Sequence, residues 1–136
     1  MDNKIRLDIV TPHGLVLSED VDEIAATGSE GEFGVLPGHV PFITTLKIGM
    51  LIVKKDNKTD FVFVNSGYAE VTSGKVIILA DSAERAEDID VERAKAAMKR
   101  AEERLQQADR VDFGRATAAI ERATIRIQIA EKKVTR

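Results

Sequence analysis

The chain has 136 residues, enough for one ordinary domain or for a small domain with an appendage. It has no cysteine, which excludes disulfides and thiolate metal sites, and one tyrosine with no tryptophan, which argues against base-stacking platforms for nucleic acid. Residues 1–84 hold 7 Lys+Arg and 13 Asp+Glu, whereas residues 85–136 hold 13 and 10. The net charge of −3 therefore divides into an acidic and a basic part that we expect to have different neighbours.

The first part of the chain, from Lys4 to Ala80, has the short period of β structure. Ile5, Leu7 and Ile9 alternate with polar residues, which is typical of a half-buried strand. Further strands are predicted at residues 15–17, 21–27, 41–46, 48–54, 61–65, 68–71 and 75–80. The segment 68–71 is expected to pair back on the strand at 61–65. So many short strands, separated by turns, predict a β-sandwich or a flattened barrel.

The segment from Gly28 to Gly49 organises this β domain, because it holds five of the nine glycines and two of the three prolines. Glycine reaches positive φ without a Cβ clash and proline fixes φ, so a ribbon of tight turns is predicted. Those turns are expected to hold Glu30, Glu32 and His39 out from the domain. These residues are interpreted either as solvated corner residues or as a functional rim.

The period changes near residue 81, where a polar connector over residues 82–90 is predicted to end at Asp90, a helix N-cap. Two antiparallel helices follow, with a break at residues 109–112. Their apolar stripes are Val91, Ala94, Ala97, Met98, Ala101, Leu105 and Ala108, then Phe113, Ala116, Ala119, Ile120, Ala123, Ile127, Ala130 and Val134. Because alanine buries little area, we expect a hairpin that is marginally stable alone and able to dock or detach.

Six arginines share one side of the predicted hairpin: Arg93, Arg100, Arg104, Arg115, Arg122 and Arg126. With the connection centred near Val111, Arg100 lies opposite Arg122, and Arg126 falls between Arg93 and Arg100. Like charges without counter-charges indicate an anionic partner, either a nucleotide phosphate or an acidic protein surface. A solvated basic surface whose side chains cover the alanine seam is the alternative.

Sequence signatures of catalysis are missing from the chain. It has neither a Gly-x-x-x-x-Gly-Lys-Ser/Thr loop nor a Gly-x-Gly-x-x-Gly segment opening a helix. His13 and His39 are interpreted as turn residues, so no metal site is expected. No apolar run approaches the ~20 residues that cross a bilayer, and the polar start from Met1 to Arg6 does not resemble a signal peptide. A soluble, intracellular protein without catalytic activity of its own is expected.

Four segments carry a resemblance to a known family. They are Gly28-Ser-Glu-Gly-Glu32, Leu36-Pro-Gly-His-Val-Pro41, Leu79-Ala-Asp-Ser-Ala-Glu84 and Ile89-Asp-Val-Glu-Arg-Ala94. Together with the order of a β domain before a helical hairpin, they make the chain similar to the epsilon subunit of bacterial F-type ATP synthases, called delta in mitochondria. The resemblance runs from the first predicted strand to the last helix.

The resemblance implies a flattened ten-stranded β-sandwich over residues 1–84, which binds the rotor, and a regulatory helical hairpin over residues 85–136. It implies a non-catalytic subunit of the central stalk that couples proton-driven rotation to ATP synthesis. The partners implied are the gamma subunit and the ring of c subunits, which Thr11, Glu32 and His39 would contact. The chain would lie at the cytoplasmic face of the bacterial inner membrane, attached only through the complex.

The resemblance also implies a regulatory role for the hairpin. An extended form reaches the alpha/beta catalytic head, faces an acidic segment of beta and inhibits ATP hydrolysis, whereas a folded-down form in some members binds ATP. No cofactor is required, and ATP would be a regulatory ligand of unknown affinity. The matching motif is Ile89, Asp90, Arg93 and Ala94, with Glu84, Arg100, Arg122 and Arg126 at supporting positions.

Two alternatives stay open on the sequence alone. The chain could be a free-standing nucleotide- or anion-binding module, which would not bind a gamma subunit. A stand-alone hydrolase is disfavoured, because the phosphate loop is missing.

Overall fold

The computed structural model describes residues 4–107 and 110–135, with side chains for residues 4–107 and 113–132. The elements are β1 (Ile5–Thr11), β2 (Gly14–Val21), β3 (Glu23–Gly28), β4 (Gly31–Val35), β5 (Phe42–Lys55), β6 (Lys58–Thr72), β7 (Lys75–Arg85), a 3-10 turn (Ala86–Asp88), α1 (Val91–Gln107) and α2 (Arg110–Thr135). The described strands form one sheet in the order β2-β1-β7-β6-β5-β3-β4. The pair β1–β7 is parallel, and the other pairs are antiparallel.

The expected ten strands are not confirmed, because the described residues form seven, of which three are long. The predicted strands 41–46 and 48–54 are both parts of β5. Segment 68–71 continues β6, so the prediction that it pairs back was wrong. The connector predicted from residue 82 was also wrong at its start, since β7 runs to Arg85. Strand β4 lies inside the turn-rich segment and was not predicted.

A bend across the three long strands explains the differences in β5, β6 and β7. The pairing of β5, β6 and β7 skips Lys47, Ser66 and Asp81, which lie side by side. Ser66 and Gly67 have φ of 58° and 133°, so their sequence resembles a turn although the strand continues. A Cβ on Gly67 would lie 2.0 Å from the carbonyl oxygen of Leu79, which leaves room for glycine alone.

The bend also exchanges the two faces of each long strand. In β6, even-numbered residues such as Val64 are buried before the bend, and odd-numbered ones such as Ala69 are buried after it. All seven strands contribute to one apolar cluster, so the sheet folds over a common interior. Phe63 belongs to a second, smaller cluster, because its side chain lies on the outer face, toward the helices.

The helices form the predicted antiparallel hairpin with an alanine seam. Its buried residues include Ala94, Ala101, Ala116 and Ala123. Thr124 Oγ1 lies 3.7 Å from Met98 Sδ, which agrees with a connection centred near residue 111. The break between the helices is shorter than the predicted 109–112, because α2 already begins at Arg110. Ala108, Asp109 and the side chain of Val134 lie outside the described residues.

The prediction that Phe113 is buried was wrong, since this side chain is 56% exposed. At 100° per residue, Phe113 lies about 80° from Ala123 around the helix, at the margin of the seam. A side chain at this angle is directed past the alanine seam, toward solvent. A second apolar side of α2, with Ile125 and Ile129, was not predicted and packs on the sandwich.

Candidate functional site

Helix α2 docks on the outer face of the sandwich through the smaller apolar cluster. Phe63 and Ile129 are both 0% exposed, and Ile89 and Ala130 complete the buried part of this docking cluster. Ile48, Met50 and Phe61 from the sheet pack around it. The hairpin is therefore folded down against the sandwich in this structure.

Arg126 joins the hairpin to the last strand of the sandwich. Its Nε lies 2.6 Å from Oε1 of Glu84, and its guanidinium carbon lies 4.3 Å from the centre of the Phe63 ring. Glu84 and Phe63 are register partners on β7 and β6, so one guanidinium reaches both. On α2, Arg126 lies about midway between the direction of Ala123, in the seam with α1, and that of Ile129, toward the sheet.

Asp90 begins α1 as predicted. Its Oδ1 accepts a hydrogen bond from the backbone N–H of Arg93 at 3.0 Å, and its carbonyl accepts one from the N–H of Ala94 at 3.0 Å. This geometry confirms the N-cap. It also fixes where the first turn lies, so that Arg93, Ala97 and Arg100 follow one another along one face of the helix.

A cavity of about 340 Å³ lies where the sandwich, α1 and α2 meet. Its volume falls within the range of ligand sites, which is roughly 300–1,000 Å³. Its lining residues are Glu84, Asp88, Asp90, Arg93, Ala94, Ala97, Arg100 and Arg126. The structure thus brings together six of the eight residues that the sequence placed at a nucleotide site.

Two of those eight residues lie elsewhere. Ile89 is buried in the docking cluster, and Arg122 is half-buried but does not line the cavity. Conversely, the sequence reasoning missed Asp88 and Ala97. Ala97 could have been found from its position four residues after Arg93, whereas Asp88 precedes the helix and shows no periodic signal.

The cavity combines cationic and anionic side chains. Arg93 and Arg100 are exposed and form no salt bridge within the described part of the chain, so both can bind an anion. Arg126 contacts Glu84 through Nε, so the two terminal nitrogens of its guanidinium can still donate hydrogen bonds to an anion. Among the residues described, no group of three or more His, Cys, Asp or Glu could hold a metal ion. The arrangement is one for binding an anionic ligand.

The predicted rotor contacts lie at three different places on the sandwich: the end of β1, strand β4 and the loop before β5. Thr11 Oγ1 donates to the Gly14 carbonyl at 3.3 Å in the first turn. Glu32 is exposed on β4 and lines a cavity of about 300 Å³ between the sheet and α2. His39 Nδ1 donates to the Val40 carbonyl at 2.7 Å in the loop before β5.

A row of apolar side chains crosses the outer face of the sheet away from the docking cluster. Val10 pairs with Leu15 on one side and with Leu79 on the other, and Leu79 pairs with Tyr68. Leu15, Tyr68 and Leu79 are 63%, 56% and 50% exposed. We name these four residues the apolar row. Contiguous exposed apolar groups of this kind mark interaction surfaces.

Comparisons with known proteins agree with both parts of the fold. Residues 4–86 match the family described as ATP synthase, Delta/Epsilon chain, beta-sandwich domain, and residues 87–131 match its long alpha-helix domain. The ATP synthase epsilon chain of Thermodesulfovibrio yellowstonii is 55% identical over 107 residues, which are 79% of this chain and 76% of that one. That of Nitratidesulfovibrio vulgaris is 58% identical, with coverage of 79% and 80%.

Chains of two solved ATP synthase structures are similar in fold to this chain. A chain of the Euglena gracilis mitochondrial ATP synthase, in an OSCP/F1/c-ring structure, has a TM-score of 0.80 and 27% identity, and the match covers 100% of this chain and 84% of that one. A chain from the central stalk/c-ring of the Tetrahymena thermophila mitochondrial enzyme shares the fold, with a TM-score of 0.60, 12% identity and coverage of 93% and 96%. No helix within residues 4–107 and 110–135 is long and apolar enough to cross a membrane. The chain belongs to the ATP synthase delta/epsilon chain family, and it is an epsilon subunit like its bacterial relatives.

Proposed function

We propose that this chain is a non-catalytic subunit of the central stalk, which couples proton-driven rotation to ATP synthesis and inhibits ATP hydrolysis through its C-terminal helices. Family membership and the likeness to a chain of an F1/c-ring assembly support this role. The missing phosphate loop fits a subunit that transmits rotation and carries out no chemistry of its own.

The proposed partners follow from the surfaces of the two parts. Residues 1–84 would bind the gamma subunit and the c-subunit ring, with the apolar row and with Thr11, Glu32 and His39. Residues 85–136 would reach the alpha/beta catalytic head, where the exposed arginines would face an acidic segment of beta. The subunit would then lie at the cytoplasmic face of the bacterial inner membrane, attached through the complex.

We further infer that the cavity between sandwich and hairpin binds ATP as a regulatory ligand. The observation that carries this inference is that Glu84 comes from β7, Arg93 and Arg100 from α1, and Arg126 from α2. The site is complete only while the hairpin is docked. A ligand that binds the docked form alone stabilises it by about 2.7 kcal/mol at 100 times its dissociation constant. At low ATP the hairpin would be free to extend and inhibit hydrolysis.

A calorimetric titration of the whole chain with ATP tests this site. The double variant Arg93→Gln, Arg100→Gln should bind ATP at least about 100-fold more weakly, because each charge-assisted hydrogen bond contributes roughly 1.5–3 kcal/mol. Arg126 is left unchanged, since its contacts with Glu84 and Phe63 also hold the hairpin. Unchanged affinity in this variant would contradict the site.

The matched control is the double variant Arg104→Gln, Arg115→Gln. Both arginines are exposed on the hairpin and do not line the cavity, so the same loss of charge should change the affinity less than threefold. If the control weakened binding as much as the cavity variant, the effect would be one of overall charge.

A further inference from the structure

We propose that Asp88 is a specificity-determining residue of the cavity, where its carboxylate disfavours small polyanions relative to ATP. The inference rests on the proposed function, because it concerns the ligand of the same site. It adds a residue for which neither the sequence motif nor the comparisons provide a role.

The charge of the side chains along the α1 wall of the cavity changes from negative at one end to positive at the other. Asp88 and Asp90 precede the first turn, whereas Arg93 and Arg100 lie about 4.5 and 15 Å beyond Asp90 along the helix axis. Ala97, between the two arginines, contributes only a methyl group and leaves space. A ligand fits this wall when its anionic groups lie at the arginines and its uncharged end lies at the carboxylates.

Asp88 is the carboxylate of the cavity that has neither oxygen engaged by another residue of the described chain. Asp90 Oδ1 is occupied by the helix N-terminus, and Glu84 Oε1 is occupied by Arg126. Asp88 is exposed and has no hydrogen bond or ion pair with any residue that the structure describes. An ionised carboxylate only accepts hydrogen bonds, so it repels phosphate oxygens and attracts amino groups.

ATP and inorganic tripolyphosphate differ in the feature that such a carboxylate can detect. Both present a chain of three phosphates to the arginines. ATP also has an amino group on its base, which can donate a hydrogen bond, whereas every part of tripolyphosphate is anionic. Asp88 should therefore disfavour tripolyphosphate, which has no donor to offset the repulsion.

The experiment measures dissociation constants of ATP and of inorganic tripolyphosphate for the full chain by calorimetry. The variants are Asp88→Asn and, as the matched control, Glu87→Gln. Glu87 is the adjacent exposed residue, pairs with Arg85 at 3.2 Å and does not line the cavity, so its variant removes the same charge from a neighbouring position.

We expect Asp88→Asn to bind tripolyphosphate about three- to tenfold more tightly, as Coulomb repulsion at short range predicts, and to reduce the preference for ATP by a similar factor. Glu87→Gln should leave that preference unchanged. An unchanged preference in Asp88→Asn, or an equal change in both variants, would overturn the inference while leaving ATP binding intact. A wild-type chain that binds neither anion would overturn the ATP site itself and the role of Asp88 with it.

Discussion

Replacing Phe63 by alanine should detach the helical hairpin and leave the sandwich folded. The Phe63 side chain is completely buried in the docking cluster, and Arg126 lies over its ring. Removing a buried phenyl group costs about 3–5 kcal/mol, and losing the contact with the guanidinium adds roughly 0.5–2 kcal/mol. The sandwich core is a separate cluster without Phe63, so its strands should keep their stability.

Hydrogen exchange followed by mass spectrometry measures this separation. Helices α1 and α2 should exchange at least about 100-fold faster in Phe63→Ala, whereas strands β1 to β4 should not change. Phe113→Ala is the matched control, because it removes the same group from an exposed position. If the strands and helices of Phe63→Ala exchanged faster together, docking would be inseparable from the folding of the whole chain. If neither changed, the docking cluster would not hold the hairpin.

The second large effect concerns the apolar row. Introducing Tyr68→Asp together with Leu79→Asp should abolish measurable binding to the gamma subunit, with a loss of at least about 100-fold. Residues at the centre of an interface cost about 2 kcal/mol or more when truncated, and a buried unpaired charge adds to that cost. Because both side chains are half-exposed or more on the outer face, the sandwich itself should stay folded.

The binding measurement uses the full chain and its cognate gamma subunit, with Tyr68→Phe, Leu79→Met as the matched control. The control keeps the apolar area and should bind within threefold of the wild type. Normal binding by the charged variant would assign the gamma interface to another surface. A wild-type chain that does not bind gamma would contradict the place in the central stalk and favour a free-standing anion-binding module.

Local patterns in the sequence predicted the parts of the fold that depend on near neighbours. The alternation around Ile5, Leu7 and Ile9 predicted β1, and an acidic residue before an alanine-rich stripe predicted the N-cap at Asp90. The helical angles of the arginines predicted that four of them converge, and three of the four, Arg93, Arg100 and Arg126, line one cavity, whereas Arg122 does not. Each of these inferences needs only the period of one element and the antiparallel pairing of two helices.

Features that depend on distant partners could not be predicted in this way. Residues 65–67 look like a turn, and only the partners on β5 and β7 show that the strand continues through them. Phe63 lies between Val62 and Val64, and all three are buried, so alternation cannot reveal which face meets the helices. Asp88 lies in a short 3-10 turn, where no period indicates the direction of a side chain.

We propose that ATP binds the docked hairpin and stabilises it. The most direct test measures hydrogen exchange in α1 and α2 of the wild-type chain at rising ATP. Exchange should slow by up to about 100-fold at 100 times the dissociation constant, and the Arg93→Gln, Arg100→Gln variant should show no such change at the same ATP. If exchange in the wild-type helices stayed the same at millimolar ATP, the claim would be contradicted, and the arginines would be left to contact the catalytic head alone.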